Sequence, residues 1–166
     1  MEIEQLRELF QEQMMDLYSG EEQIIEAMPD MIEAASDDRL RSALEEHLEE
    51  TRNQKRRLDE IANELGFELE GHACKGMEGI LEEGSELVED ETQSGPVRDA
   101  AIIASAQRVE HYEIAAYGTA RTLARTLGED KVAKRLQESL DEEKQADNKL
   151  TDIAESTVNR AAVAGD

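Results

Sequence analysis

Residues 40–58 read LRSALEEHLEETRNQKRRL, and this stretch decides the fold. Leu40, Leu44 and Leu58 fall on one stripe at helical spacing, and His47, Glu50 and Gln54 break the stripe halfway along. An amphipathic helix that turns polar only at the middle of its buried face is unusual. It predicts a helical bundle with apolar ends and an ionisable centre, provided that the other helices do the same.

Three further segments do. Over 3–35, Leu6, Phe10, Met14, Leu17, Ile24 and Met28 form a stripe that Glu21 interrupts. Over 96–127, Ile103 and Gln107 lead to Glu110 and Glu113, and then to Ile114 and Tyr117. Over 130–157, the stripe of Val132, Leu136, Leu140, Leu150 and Ile153 is broken by Glu143 and Asp147. Glu21, Glu50, Glu110 and Glu143 each lie about 13 to 15 residues along from a helix end, which at ~1.5 Å per residue puts them at one level to roughly one turn.

The punctuation between stripes sets the architecture. Ser36 and Asp37 can cap the second helix, and Gly66 can stop it. Ser94-Gly95-Pro96 opens the third helix and Gly128 ends it. Pro29 should kink the first helix or mark a change of direction. Two helical hairpins with short turns are therefore joined by a connection of 28 residues, 67–94. Within it, Cys74 to Glu89 reads as a helix on Met77, Ile80, Leu81, Leu87 and Val88, weakened by Gly76, Gly79 and Gly84. The expectation is an all-α four-helix bundle whose long crossover contains an extra short helix. One domain should span 1–158, with 159–166 a frayed tail.

Composition narrows the function. The net charge is −23, from 41 acidic and 18 basic residues, a field that repels nucleic acid and anionic lipid and attracts cations. Arg outnumbers Lys twelve to six, and excess acid with little Lys is read as adaptation to high internal salt, a halophilic surface. No run of about 18 apolar residues exists to span a membrane. The acidic start MEIEQLRELF is unlike a signal peptide, and the single Cys74 fits a reducing compartment, so the expected location is cytoplasmic.

A single Glu on a helical stripe is ordinarily a half-exposed boundary residue, and so acidic a chain must place some Glu on any face. Four interruptions at one height, one per helix, argue for more. Buried carboxylates without counter-charge cost several kcal/mol each, and few Lys or Arg share these faces. A pair of divalent cations would neutralise the cluster. Oxygen donors with a little imidazole suit iron or manganese, and zinc also fits. His111 points about 100° away from Glu110 and is read as a packing residue. Tyr18 and Tyr112 are read as core or interface residues, with hydrogen bonding to the centre as the alternative. Met14, Met15, Met28 and Met31 are core filler, while His72 is given no role and Cys74 no partner.

The stretches LRELFQEQMMDLYSGEEQI, LEEHLEETRNQKRRLDEI, CKGMEGILEEG, QRVEHYEIAAYGTAR and LDEEKQADNKLTDIAE resemble the YciF/YciE-like family of ferritin-like stress proteins. The HLEET and EHYEIAAYG blocks are its most specific part. The resemblance implies a ferritin-like bundle, a homodimer and a di-iron-type centre. In the wider superfamily the first and third helices give single Glu ligands, and the second and fourth give Glu-x-x-His. Carried over, Glu21 and Glu110 are the single ligands and Glu50 and Glu143 the bridging ones. The chain departs from that pattern at both histidines, since Asn53 follows Glu50 and Ala146 follows Glu143 at that spacing. His47, Glu113 and Asp147 would complete an oxygen-richer shell. The implied activity is chemistry on oxygen or peroxide, of a ferroxidase or peroxidase kind. The alternative is a non-catalytic dimer with a binding or structural role in stress. An iron-storage cage is weaker, because no assembly contacts can be read.

Overall fold

The computed structural model describes residues 5–89 and 95–164. Helices α1 (Leu6–Ala34), α2 (Asp38–Leu65), α3 (Lys75–Val88), α4 (Pro96–Thr126), α5 (Asp130–Ile153) and α6 (Asn159–Ala164) follow in order, with no strand among the described residues. The expected caps are in place. The Asp37 carboxylate accepts from the Arg39 and Leu40 amides at 2.9 Å. Gly66 closes α2 at φ +75°, a left-handed conformation that glycine adopts without penalty. Pro96 is the first residue of α4, where its missing N–H costs nothing. Pro29 lies inside α1, and the helix continues past it to Ala34. Ile3, the expected first helical residue, and Ser94 lie outside the described residues.

Contacts between helix ends fix the directions. Asp99, in the first turn of α4, is buried and accepts hydrogen bonds from the Ser36 amide (2.7 Å), the Ser36 hydroxyl (2.6 Å) and the Asp37 amide (3.0 Å). The turn that opens α2 thus meets the start of α4, so the two helices run parallel. At the other end Arg7, at the start of α1, pairs with Glu129 in the α4–α5 turn at 3.0 Å. Parallel second and third bundle helices require a crossover along the full length of the bundle. That is the ferritin-like arrangement: α1, α2, α5 and α4 form the bundle, and α3, in the crossover, packs on α1 and α4.

The core is split. One apolar end holds Phe10, Met14, Leu17, Leu58, Ile61, Ala120 and Leu136. The other holds Leu40, Leu44, Ile102, Ile103, Leu150 and Ile153. Between them lies a polar waist. The chain beyond α5 differs from the expected frayed tail. A π-helical turn, Ala154–Val158, leads into α6, so the helix continues to Ala164. The reason is Val158, which is buried in the second apolar end and anchors the turn.

The glycines that weaken α3 on paper have separate explanations. A Cβ on Gly76 would sit 2.8 Å from the Tyr112 ring, whereas one on Gly79 would meet nothing within 4 Å. Gly76 is what lets α3 lie against α4. We therefore expect Gly76→Ala to destabilise the protein by about 1–3 kcal/mol through overpacking. Gly79→Ala should be neutral, or stabilising by up to ~1 kcal/mol through helix propensity. Urea unfolding monitored by circular dichroism would show the contrast, and equal effects would remove the packing explanation.

Candidate metal centre

The waist collects Glu21 from α1, His47 from α2, Glu110 and Glu113 from α4, and Glu143 from α5, all buried. One donor atom each from His47, Glu110, Glu113 and Glu143 can be chosen so that all lie within 4.8 Å of one another. His47 Nε2 is 3.2 Å from Glu110 Oε1 and 4.0 Å from Glu143 Oε2. Glu21 adjoins the group and accepts a short hydrogen bond from the Tyr117 hydroxyl. Gln54 Nε2 donates to Glu143 Oε1 at 2.5 Å and to Glu142 Oε2 at 3.0 Å.

Two expected residues stand apart. Glu50, expected to bridge, is at the rim, with its side chain 35% exposed and its carboxylate 3.6 Å from His47 Nδ1. His47 takes the inward position on α2 instead. Asp147 lies in the α4–α5 seam, where it accepts from Gln107 Nε2 at 3.0 Å and faces exposed His111 at 3.3 Å. Sequence reasoning treated Tyr117 only as a continuation of the stripe and Gln54 only as part of a polar patch. Both are direct partners of the cluster, and periodicity carried the signal: Tyr117 is one turn beyond Glu113, and Gln54 two turns beyond His47. Tyr18 and Tyr112 serve elsewhere. Lys55 donates to Tyr18 at 2.8 Å, and Tyr112 meets the Cys74 sulfur at 3.0 Å, which gives Cys74 a partner. His72 is held by Asp16 at 2.8 Å.

The electrostatics of the waist are severe. Among the described residues, no lysine or arginine forms an ion pair with Glu21, Glu110, Glu113 or Glu143. Burial, reinforced by the charge of Glu143, pushes Glu110 and Glu113 well above the usual carboxylate range. The same two causes raise Glu21, and the hydrogen bond from Tyr117 only partly offsets them. Burial would lower His47, but contact with Glu50 and the field of Glu143 outweigh it and raise its pKa. Burial, then the charge of Glu21, raises Tyr117.

Several buried atoms have no hydrogen-bond partner: both nitrogens of His47, both oxygens of Glu113, and one oxygen each of Glu21, Glu110 and Glu143. Leaving a buried polar atom unsatisfied costs about 1–3 kcal/mol, more if it is charged. One donor atom from each of His47, Glu110, Glu113 and Glu143 lies close enough to the other three for a single cation to be shared among them. Ligands at ~2.0–2.3 Å from an ion stand up to roughly 4–4.6 Å apart across it. The present spacing is close to that range, so this buried His/Glu cluster could hold a metal ion.

A family described as a domain of unknown function, DUF892, matches residues 5–163. The chain belongs to the DUF892 family. Among its relatives, Protein YciF of Escherichia coli (strain K12) is 44% identical over 163 residues, covering 98% of each chain. The crystal structure of YciF, described as a stress protein, superposes with a TM-score of 0.90 over 95% of this chain and 99% of that one. YcfI of Rhodopseudomonas palustris, described as a candidate structural protein, is 42% identical, with a TM-score of 0.83 over 90% of this chain and 95% of its own. A protein from Xanthomonas campestris, 20% identical, shares the fold at a TM-score of 0.77 over 97% of this chain and 99% of its own. The DUF892 match and the YciF relative bear out the family resemblance, and the bundle with its crossover helix is common ground.

The raised carboxyls set a sign for pH. In metal-free protein, Glu21, Glu110 and Glu113 keep protons above the ordinary value of 4.5, where the unfolded chain has released them. The folded state then binds more protons, so stability falls as pH rises from that value through the folded pKa values. The fall is at most ~1.4 kcal/mol per pH unit for each retained proton. Glu113→Gln, which cannot titrate, should flatten the decline in thermal midpoint between mildly acidic and mildly basic pH. Parallel slopes for wild type and variant would show that Glu113 is ionised in the folded chain.

Proposed function

We propose that the waist binds two divalent metal ions, iron in first place with manganese or zinc as alternatives, and that the protein acts on oxygen or peroxide. The observation that carries this reading is the set of buried donors with neither hydrogen-bond partners nor cationic counterparts. His47, Glu110, Glu113 and Glu143 would hold one ion. Glu21, with its free Oε2, would share a second with neighbouring carboxylates, and Glu50 is the nearest reserve donor at the rim. Bound there, a pair of iron or manganese ions supplies Lewis acidity and two electrons for breaking an O–O bond.

The chain's own residues have definable tasks. Tyr117 holds its phenol proton on Glu21 and fixes that carboxylate's orientation. Gln54 fixes Glu143 in the same way. Glu110 and Glu113 give up protons when cations enter, so metal uptake releases protons. The two apolar ends keep bulk water from the waist along the bundle axis. A role in stress accords with the description of the Escherichia coli relative. The homodimer is part of this proposal, and sedimentation of the native protein checks it. The competing reading, a bundle without chemistry, is favoured by the description of the Rhodopseudomonas relative.

The deciding experiment is metal analysis by mass spectrometry on protein purified without a histidine tag, comparing wild type with the Glu110→Gln, Glu143→Gln double variant. The expected result is about two iron or manganese ions per chain, lost in the double variant, together with peroxide consumption that falls at least tenfold. Wild type that is metal-free and also refuses ferrous and manganous ions under anaerobic reconstitution would overturn the proposal in favour of the structural bundle.

A further inference from the structure

The bundle is asymmetric about its waist. On the α1–α4 flank, α3 covers the seam, and beside His47 and Glu110 there remains a cavity of about 20 Å³, walled by Ile24, Met28, Leu81 and Val109 among others. The α2–α5 flank has no covering helix among the described residues. There a cavity of about 220 Å³ reaches from the surface to His47 and Glu110.

Its construction is specific. Ala43 and Ala146 stand on its two helices where larger side chains would fill it, and Leu44 and Leu150 complete apolar walls. His47 and Glu110 are inside, both buried, with both imidazole nitrogens and Glu110 Oε2 free of hydrogen-bond partners. Glu46 and Lys149, ion-paired with each other across α2 and α5, also line it, each about half exposed. A cavity of ~150 Å³ lined by apolar groups already accommodates benzene. The present one exceeds what dioxygen or hydrogen peroxide requires, and it combines an apolar wall with a polar interior end.

We propose that this cavity is a binding pocket for a small organic hydroperoxide, with its alkyl body against Ala43, Leu44, Ala146 and Leu150 and its polar head at His47 and Glu110. This assignment rests on the reading of the waist as a centre for oxygen or peroxide, and it names the substrate class of that centre. The reaction is ROOH + 2e⁻ + 2H⁺ → ROH + H₂O. The O–O bond breaks; iron or manganese ions held by the waist residues would supply the two electrons, and an added one-electron donor such as ascorbate would restore them. Ala146→Leu or Ala43→Leu would occupy the pocket from one wall or the other.

The test has a binding arm that needs no metal. Isotope-labelled, metal-free protein is titrated with tert-butyl alcohol, the unreactive product analogue of tert-butyl hydroperoxide, while amide shifts are followed by NMR. Saturable shifts at Ala43, Leu44, Ala146 and Leu150, lost in folded Ala146→Leu or Ala43→Leu, are expected. Non-saturable or scattered shifts, or shifts that survive in both variants, would overturn the pocket. In metal-loaded protein, Ala146→Leu should lower consumption of tert-butyl hydroperoxide at least tenfold relative to hydrogen peroxide, and an unchanged ratio would overturn the substrate class. Wild type that takes up no metal defeats the metal reading and the substrate class with it, while the NMR arm still decides whether the pocket binds an amphipathic organic molecule.

Discussion

Five ionisable side chains buried together at one level, four of them carboxyls that no lysine or arginine among the described residues pairs with, are the constraint on which this structure turns. An unpaired buried charge costs several kcal/mol even after relaxation, and a domain of this size is stable by only about 5–15 kcal/mol in total. Glu21, Glu110, Glu113 and Glu143 cannot all be ionised in the metal-free fold without exhausting that margin. Something must neutralise them, and protons or metal cations are the two candidates. Protons are a poor permanent solution, since they leave donors and acceptors mismatched, as the unpartnered atoms of His47 and Glu113 show. A cation at the same place could take one donor atom from each of His47, Glu110, Glu113 and Glu143. The apolar ends of the bundle, with Phe10, Met14, Leu58 and Leu136 at one and Leu40, Ile102 and Ile153 at the other, supply the burial that lets the waist persist in either state.

Most of the fold was legible because helical periodicity and end signals agree. Asp37, Gly66 and Pro96 mark boundaries by backbone chemistry that does not depend on tertiary context. At the centre, the expected Glu21, His47, Glu110, Glu113 and Glu143 lie together, while Glu50 and Asp147 stand apart. Glu50 and His47 are three residues apart, or about 60° around the helix at 100° per residue. Leu40, His47 and Gln54 are spaced by sevens and share nearly one direction, and Thr51, on the far side of His47 from Glu50, is buried. Glu50 therefore falls at the edge of the face and His47 inside it. Counting in sevens from Leu40 would have placed both correctly, whereas tracking carboxylates alone favoured Glu50. Asp147 was less accessible to such reasoning. Its partners Gln107 and His111 sit on another helix, and no one-helix pattern reveals which side of a seam a residue joins.

The crossover shows a different limit. A run with Gly76, Gly79 and Gly84 reads as a poor helix, yet α3 forms, because close approach to its neighbours outweighs propensity at two of the three. Gly76 makes room for Tyr112, and Gly84 for Ser105. Tyr112 in turn meets Cys74, which caps α3 through its sulfur, and the Cys74 amide donates to Ser19 of α1 at 3.0 Å. A short helix that would be marginal alone is fixed at its start to both helices beneath it. The consequence reaches the centre, since one flank of the waist is covered and the opposite seam is left as its open side.

The acidic surface and the buried centre act on cations over different ranges. A charge of −23 raises the local concentration of cations around the whole molecule. At physiological salt that field decays over ~8 Å, so it can gather ions without selecting among them. Selection must come from donors at bonding distance, where the ratio of oxygen to imidazole decides between metals. At the proposed site a single inward imidazole among carboxylates would therefore matter more for metal choice than the surface charge does. A carboxylate-rich donor set would make the proposed site harder and couple it more strongly to protons, since each carboxylate must be deprotonated before it can bind. Ala146, one turn beyond Glu143, is a small side chain that lines the cavity beside His47 and Glu110. One helical turn of α5 thus carries both a candidate donor, Glu143, and part of the wall of the open side, Ala146.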